Sequence, residues 1–140
     1  MIEKKLTVPK VPCGSCPYRR GVPSGVWACD EYVKLLDYDR PMAEQPQGVF
    51  LCHQKSGEKD CFDLCGGWLM SHGPENLFSL RLASVLGWYE IDESVWRYAP
   101  AGVEVWPSGR DAAMHGLKDM ENPSPQAKRI MAKITRKNNS

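Results

Sequence analysis

Apolar residues recur in short stretches along this chain, and most of these stretches have the spacing of a helix. After Trp27, apolar side chains return at Tyr32, Leu35 and Leu36, and two acids precede them where the first turn of a helix would lie. This spacing predicts a short helix that starts near Cys29, whose thiol we expect to be half-buried beside the helix cap.

A second helical pattern runs through the middle of the chain. From Cys61 to Leu69, cysteine and apolar residues recur at i, i+3, i+4, i+7 and i+8, which is one face of a helix. This pattern places Cys61 and Cys65 one turn apart on the buried face. Gly66 and Gly67 weaken a helix by about 1 kcal/mol each, so we expect another segment to approach its backbone closely.

The remaining patterns predict two short strands and three further helices. Residues 48–53 form a short apolar run, which predicts a buried strand that carries Cys52 at its end, and residues 103–106 predict a second strand. A helix over residues 75–86 is predicted from the glycine that follows it, and one over residues 108–120 from its serine cap. A last helix, over residues 125–137, is predicted from its serine–proline start. The fold class predicted is therefore α+β, a small loop-rich single domain with short helices and few short strands.

The composition is consistent with that prediction. Of the 140 residues, 42% are apolar and 25% are charged, and eleven prolines with twelve glycines favour a loop-rich fold. A chain of this length buries about two-thirds of its unfolded surface, which is enough for a core of its own. We divide it into a globular body, residues 1–125, and a basic C-terminal helix or tail of the same domain, residues 126–140.

The sequence also bears on membranes and on the state of its six cysteines. No apolar run approaches the roughly 18 residues that cross a bilayer, and the N-terminus lacks the apolar stretch of a secretion signal. We therefore expect no membrane partner and a cytoplasmic location, where thiols stay reduced and serve as metal ligands or as buried apolar groups.

The candidate chemistry lies in the cysteines. Cys13 and Cys16 form a C-x-x-C motif with a glycine between them, and such a tight turn would direct both thiols to one point. A structural zinc site has four sulfur or nitrogen ligands and no open position. The C-x-x-C motif supplies two of them, and Cys52 and Cys65 are the predicted third and fourth.

Both the later ligands and the metal have alternatives. His53 competes with Cys52, although adjacent residues of a strand point to opposite sides, and Cys61 competes with Cys65 on the same helix face. The predicted cofactor is Zn²⁺, with an iron–sulfur cluster as the alternative, because four thiolates also hold such clusters. A thioredoxin-like redox motif is disfavoured, since no strand–helix–strand pattern surrounds the C-x-x-C.

Several blocks extend the cysteine pattern over most of the chain. They are residues 13–20, 22–27, 50–53 and 65–68, followed by Asn76, residues 81–83 and residues 108–117. These blocks resemble an uncharacterised family, a domain of unknown function in small bacterial and phage proteins, with C-x-x-C-P, F-x-C-H and C-x-G-W motifs. A phage origin would make the location the host cytoplasm.

This resemblance implies a specific ligand set. Its motifs carry over to Cys13, Cys16, Cys52 and Cys65, with His53 nearby, and they leave Cys29 and Cys61 outside. The chain is also similar, more faintly, to the WhiB-like iron–sulfur regulators, through four cysteines followed by a glycine–tryptophan turn. In this chain the C-x-x-C motif is the first of the cysteine groups, whereas in those regulators it lies in the middle. This second likeness therefore supports an iron–sulfur cluster only as the alternative cofactor.

The charges are unevenly distributed. All 17 acidic residues and 13 of the 18 basic residues precede Gln126, and the five remaining basic residues follow it. On the predicted last helix, four of the five share one face: Arg129, Lys133, Arg136 and Lys137. Such a face is suited to contact nucleic acid or an acidic protein, or else it is a solvated surface whose apolar neighbours pack on the body.

Together these patterns predict a small intracellular zinc-binding protein that acts as a binding or regulatory module. The alternative is an iron–sulfur protein with a redox or sensing role, and a metal-dependent enzyme with an open coordination position is the third hypothesis. Motifs for phosphate binding and for a serine nucleophile are absent from the sequence, so we favour a binding module over an enzyme.

Overall fold

The computed structural model describes residues 5–51 and 63–139, of which residues 134–139 are described through their helical backbone. In this part of the chain, short helices are joined by long irregular segments. The α-helices are α1 (Cys29–Asp37), α2 (Gly66–His72), α3 (Phe78–Leu86), α4 (Glu93–Trp96), α5 (Gly109–Leu117) and α6 (Pro125–Asn139). Two 3₁₀ turns, Met42–Glu44 and Pro74–Asn76, and two strands, β1 (Lys5–Leu6) and β2 (Glu90–Ile91), complete the elements. These helices and strands form an α+β fold.

Helices α1 and α5 pack closely against each other, because α5 carries glycine where the two backbones approach. A Cβ atom added at Gly109 would lie 1.9 Å from the carbonyl oxygen of Leu35, and one added at Gly116 would lie 2.1 Å from the ring of Tyr32. The Asp39 carboxylate accepts hydrogen bonds from the first two amides of α5, at 2.8 and 2.7 Å. Both backbone and side-chain contacts therefore fix this helix pair.

The N-terminal arm crosses two distant segments. Its strand β1 pairs in parallel with β2, and the next residue, Thr7, bridges to Asp63 through the backbone and donates a side-chain hydrogen bond to its carboxylate. Leu6 is fully buried in this position. The arm thereby connects the segment before α2 with the segment before α4, and it delivers the C-x-x-C motif to the centre of the fold.

An aromatic cluster forms the core behind α2. The ring of Trp68, fully buried, stacks on Phe50 at 6.2 Å and meets Tyr38 edge-on at 5.4 Å. Tyr18 meets Phe50 edge-on at 6.2 Å and His72 at 5.4 Å. Because these rings come from four separate segments, α2 is held from several sides.

Several predicted elements are confirmed. A helix does begin at Cys29, Ser108 accepts a hydrogen bond from the Asp111 amide at 3.0 Å as the cap of α5, and a last helix starts at Pro125. Gly87 ends α3 in the left-handed conformation, with φ of 69°. In these places the start and stop signals are local, and the structure follows them.

Other predictions are wrong in extent. The middle helix begins at Gly66 and not near Cys61, because Cys65 is extended and its amide bonds to the Phe50 carbonyl at 2.8 Å. The first predicted strand is reduced, in its described residues, to a single antiparallel bridge between Leu51 and Leu64, and the second to a bridge between Arg19 and Val105. In their described residues these two segments pair for one residue each, so neither forms a regular strand.

The exposure of Cys29 also differs from the prediction. Cys29 is exposed, not half-buried as predicted, because it lies at the outward start of α1.

Within residues 5–51 and 63–139, no helix is both long enough and apolar enough to cross a membrane.

Candidate metal centre

The C-x-x-C motif forms the predicted tight turn. The Cys16 amide donates to the Cys13 carbonyl at 3.1 Å, and the Cys13 side chain hydrogen-bonds to the Cys16 thiol. The indole of Trp27 donates to the Ser15 carbonyl at 2.6 Å, which fixes the turn against the segment that leads into α1. Both cysteines are therefore held on one side of the turn.

Cys65 reaches this turn from the start of α2. It lies at the cap position of the helix in an extended conformation, and its sulfur is 3.7 Å from the sulfur of Cys16. Both side chains are buried, with 1% and 3% of their surfaces exposed. The structure thus brings Cys16 and Cys65, two of the four predicted ligands, into contact, and Cys13 lies in the same turn as Cys16.

The fourth predicted ligand, Cys52, lies outside the described residues, as do the alternates His53 and Cys61. Leu51, which precedes Cys52, pairs with Leu64, which precedes Cys65. The described chain therefore reaches Leu51 beside the segment that carries Cys65. Among residues 5–51 and 63–139, no group of three or more histidine, cysteine, aspartate or glutamate side chains is placed to hold a metal ion.

Two glycines allow the segments around the thiols to approach α2. A Cβ atom at Gly67 would lie 2.4 Å from the Cys16 sulfur and 2.6 Å from the Cβ of Tyr18. A Cβ atom at Gly66 would lie 2.6 Å from the hydroxyl oxygen of Tyr98. The close approach predicted from the two glycines is confirmed, and its partners are the C-x-x-C turn and Tyr98.

Hydrogen bonds and burial together set the pKa of the Cys16 thiol. The largest influence on the Cys16 thiol, the hydrogen bond from Cys13, lowers its pKa, but the hydrogen bond with Cys65 and burial both raise it and prevail. The pKa of Cys16 therefore lies well above its usual value, and the thiol stays protonated at neutral pH in the absence of a cation. The half-buried Arg19 donates a hydrogen bond to the Pro12 carbonyl at 2.8 Å and supplies positive charge beside the turn.

A chain of polar side chains leads from the turn to the surface. The buried Tyr18 hydroxyl is 2.9 Å from Nε2 of His72, and Nδ1 of His72 is 3.6 Å from the Asp39 carboxylate that caps α5. His72 and Asp39 line a cavity of about 340 Å³. Neither Tyr18 nor Asp39 is predicted from the sequence as a site residue; the one available signal is the position of Tyr18 directly after the C-x-x-C-P block.

Residues 8–135 match the model of a family of unknown function (DUF6283). The chain belongs to this family. No curated protein and no solved structure matches the chain significantly. The resemblance to an uncharacterised family is therefore confirmed at the level of the family.

In this DUF6283 protein, the basic helix α6 packs on the body through one face. Ala127 is fully buried, and Ile130 and Met131 pack, half-buried, against the core. Arg129 and Lys133 are exposed, whereas Arg136 and Lys137 are placed by the helical backbone alone. The predicted arrangement of apolar contacts on one side and exposed charge on another is confirmed for residues 127–133.

Proposed function

We propose that this protein binds one structural Zn²⁺ ion through Cys13, Cys16, Cys52 and Cys65, and that it acts as a binding or regulatory module of bacterial or phage origin. The observation that carries the proposal is the separation of 3.7 Å between the Cys16 and Cys65 sulfurs. Tetrahedral zinc with Zn–S bonds of about 2.3 Å has neighbouring sulfurs about 3.8 Å apart, so this pair already has the spacing of two ligands of one ion.

The donor set fits that ion chemically. The pKa of the buried Cys16 thiol is raised, so this thiol keeps its proton without a cation, whereas a bound Zn²⁺ ion deprotonates its thiol ligands outright. The thiolate-rich site would carry excess negative charge, and Arg19, half-buried with its guanidinium donating to the Pro12 carbonyl at 2.8 Å, lies nearby to offset part of it. Such an ion joins the N-terminal turn to the start of α2.

The same spacing favours a single ion over a four-iron cluster. In a [4Fe–4S] cluster each cysteine binds a different iron, so its sulfurs lie farther apart than two ligands of one ion. A [2Fe–2S] cluster shares two cysteines per iron and remains the alternative cofactor. It would give the protein a redox or sensing role in place of a purely structural metal.

Metal analysis of protein purified without oxygen tests the proposal. We expect colourless protein with one zinc per chain, and we expect Cys16→Ser and Cys65→Ser to lose the metal and much of the fold, because binding energy at a structural site is also folding energy. Cys29→Ser is the matched control, since that thiol is exposed and should keep both metal and melting temperature. Brown protein that contains iron and sulfide would instead support the cluster.

Further variants test which residues complete the site. If Cys61→Ser loses the metal while Cys65→Ser retains it, Cys61 is the ligand on that side. If His53→Ala loses the metal while Cys52→Ser retains it, His53 and not Cys52 is the ligand on the other side. Full metal occupancy and an unchanged melting curve in Cys16→Ser would overturn the assignment.

We further propose that α6 contacts nucleic acid or an acidic protein surface. The supporting observation is that Ala127 packs fully buried against the core while Arg129 and Lys133 remain exposed, so the charge is held in place and available. Replacing Arg129, Lys133 and Arg136 by Glu should abolish binding to random duplex or single-stranded DNA at low salt. Binding by the unaltered chain should fall with salt with a log–log slope of about −0.9 per duplex phosphate contact.

The outcomes separate the two partners. If the unaltered chain does not bind DNA, the nucleic-acid version is wrong and only an acidic protein partner remains. Equal binding by the triple variant would mean that α6 is a solvated helix without this role.

A further inference from the structure

The sulfurs of Cys16 and Cys65 lie in contact inside the fold. They are 3.7 Å apart although the residues are 49 positions apart in the chain, and only 1% and 3% of the two surfaces are exposed. None of the four described cysteines is in a disulfide bond. Two thiols so placed can be oxidised to a disulfide if their sulfurs approach from 3.7 Å to about 2 Å.

The surroundings of the two sulfurs permit that approach. Cys65 is extended and precedes the first turn of α2, and Cys16 lies in a turn, so neither side chain is packed within a helix. Gly67 has no side chain at the point where a Cβ atom would lie 2.4 Å from the Cys16 sulfur. Rotation about the Cα–Cβ bonds of the two cysteines can therefore bring the sulfurs together.

Cys13 provides the route by which an oxidant reaches this buried pair. It is half-buried, whereas Cys16 and Cys65 are shielded from solvent, and its side chain hydrogen-bonds to the Cys16 thiol. In thiol–disulfide exchange the attacking sulfur must reach the sulfur that it attacks, so access decides which thiol reacts first. A small disulfide in solvent therefore meets Cys13 before the other two.

We propose that Cys16 and Cys65 form a disulfide bond under oxidising conditions, and that Cys13 is the thiol through which this bond is made and reduced. The Cys13 thiolate attacks a low-molecular-weight disulfide such as oxidised glutathione, which releases one thiol and leaves a mixed disulfide. Cys16 then attacks the Cys13 sulfur and expels the second thiol. Finally Cys65 attacks the Cys16 sulfur and restores the Cys13 thiol. In total, two electrons and two protons pass from the Cys16–Cys65 pair to the small disulfide, which becomes two thiols.

Peptide mapping of the unaltered full-length chain tests this bond. The chain is incubated with oxidised glutathione and a chelator, so that no bound metal protects the thiols, and cross-linked peptides are identified by mass spectrometry. We expect Cys16 joined to Cys65, and a melting temperature roughly 10 °C above that of the reduced chain in the same chelator, because a cross-link over 49 positions restricts the unfolded chain. Dithiothreitol should reverse both changes. Cys16 joined to another cysteine, or left as a thiol, would overturn the proposal.

Cys13→Ser tests the route, and Cys29→Ser is the matched control. Without Cys13 the buried pair reacts only when the fold opens, so the rate of Cys16–Cys65 disulfide formation should fall about tenfold or more. Cys29 is exposed at the start of α1, and its loss should leave that rate unchanged. Equal rates in Cys13→Ser and the unaltered chain would overturn the role of Cys13.

Zinc binding by the reduced and oxidised chains separates this inference from the metal site. The proposed ion uses both sulfurs as thiolates, so the disulfide and the ion exclude each other, and we expect zinc to bind only the reduced chain. This last expectation rests on the proposed function, whereas the disulfide does not. A chain that forms the bond but never binds zinc would support the disulfide and overturn the ion. A chain that binds zinc, yet forms no bond after the zinc is removed, would overturn the disulfide alone.

Discussion

The α1–α5 pair and the surroundings of α2 both pack closely through glycines, but they differ in how their buried polar groups are hydrogen-bonded. In each region one helix carries two glycines where another segment comes within contact distance: Gly109 and Gly116 in α5, and Gly66 and Gly67 in α2. The polar groups of the first region are satisfied by the protein. The Tyr32 hydroxyl accepts from the amides of Val26 and Trp27 at 3.0 and 3.1 Å, and Asp39 accepts from the first turn of α5.

Around α2, some buried polar groups lack hydrogen-bond partners among the described residues. Within the described part of the chain, the Tyr98 hydroxyl and Nε1 of Trp68 have no hydrogen-bond partner, and Cys16 is a buried thiol with a raised pKa. The α1–α5 pair is therefore closed by its own contacts, whereas the region around α2 keeps buried polar groups that the described residues do not satisfy. Substitutions in the two regions should therefore respond differently to metal.

The largest effect is expected for Gly109→Ala. The new methyl group would lie 1.9 Å from the Leu35 carbonyl oxygen, so the two helix backbones must separate, and we expect a loss of about 3 kcal/mol in the free energy of unfolding. Denaturant titration measures the change, which should be the same with and without zinc. Gly21→Ala is the control, since no atom lies within 4 Å of its added Cβ. A loss that zinc restores would show that the two regions are not independent.

The second effect, expected for Gly67→Ala, is smaller in stability but specific to metal. Its methyl group would lie 2.4 Å from the Cys16 sulfur, which must move away from Cys65. We expect zinc content to fall and the metal-free protein to lose about 1 to 2 kcal/mol, since the better helix propensity of alanine offsets part of the overpacking. Zinc analysis and melting of both forms check this. Full zinc content would mean that the sulfur pair does not bind the ion.

The smallest effect concerns pH. Burial lowers the pKa of His72, and the Asp39 carboxylate raises it by a smaller amount, so the folded protein binds a proton there less readily than the unfolded chain does. The contribution of His72 to stability is therefore complete above its unfolded pKa of about 6.5 and is lost as the pH falls below that value. Melting temperatures between pH 7.5 and 5.5 should fall, and they should fall less in His72→Gln. Parallel profiles for the two proteins would contradict this.

What the sequence could predict follows from the range of the interactions. The C-x-x-C turn depends on one local hydrogen bond between Cys13 and Cys16, and the helix starts at Cys29 and Pro125 depend on neighbouring residues, so local patterns were sufficient. The close approach to Gly66 and Gly67 was also predictable, because glycine pairs are unfavourable in a helix unless space is needed. Which side chains approach the two glycines could not be predicted from the sequence.

The errors arise where distant segments decide the conformation. The apolar spacing between Cys61 and Leu69 suits a helix, but the bond from the Cys65 amide to the Phe50 carbonyl keeps Cys65 extended. Tyr98 could not be predicted as a neighbour of Gly66, because it lies 33 positions after Cys65 and belongs to no motif. Periodicity describes one segment at a time, whereas the described part of this site joins the C-x-x-C turn, the start of α2 and Tyr98.

The pairing of β1 with β2 has a consequence for the order in which the chain can fold. Lys5 and Leu6 find their partners at Glu90 and Ile91, and the Leu6 carbonyl accepts from the Asp92 amide at 3.0 Å. During synthesis these first residues leave the ribosome long before their partners exist, and the same holds for Asp39, whose partners lie in α5. Contacts of such high sequence separation form slowly. The thiols of the N-terminal turn likewise remain open to solvent until Cys65 and Gly67, which cover Cys16 in the folded protein, have been synthesised.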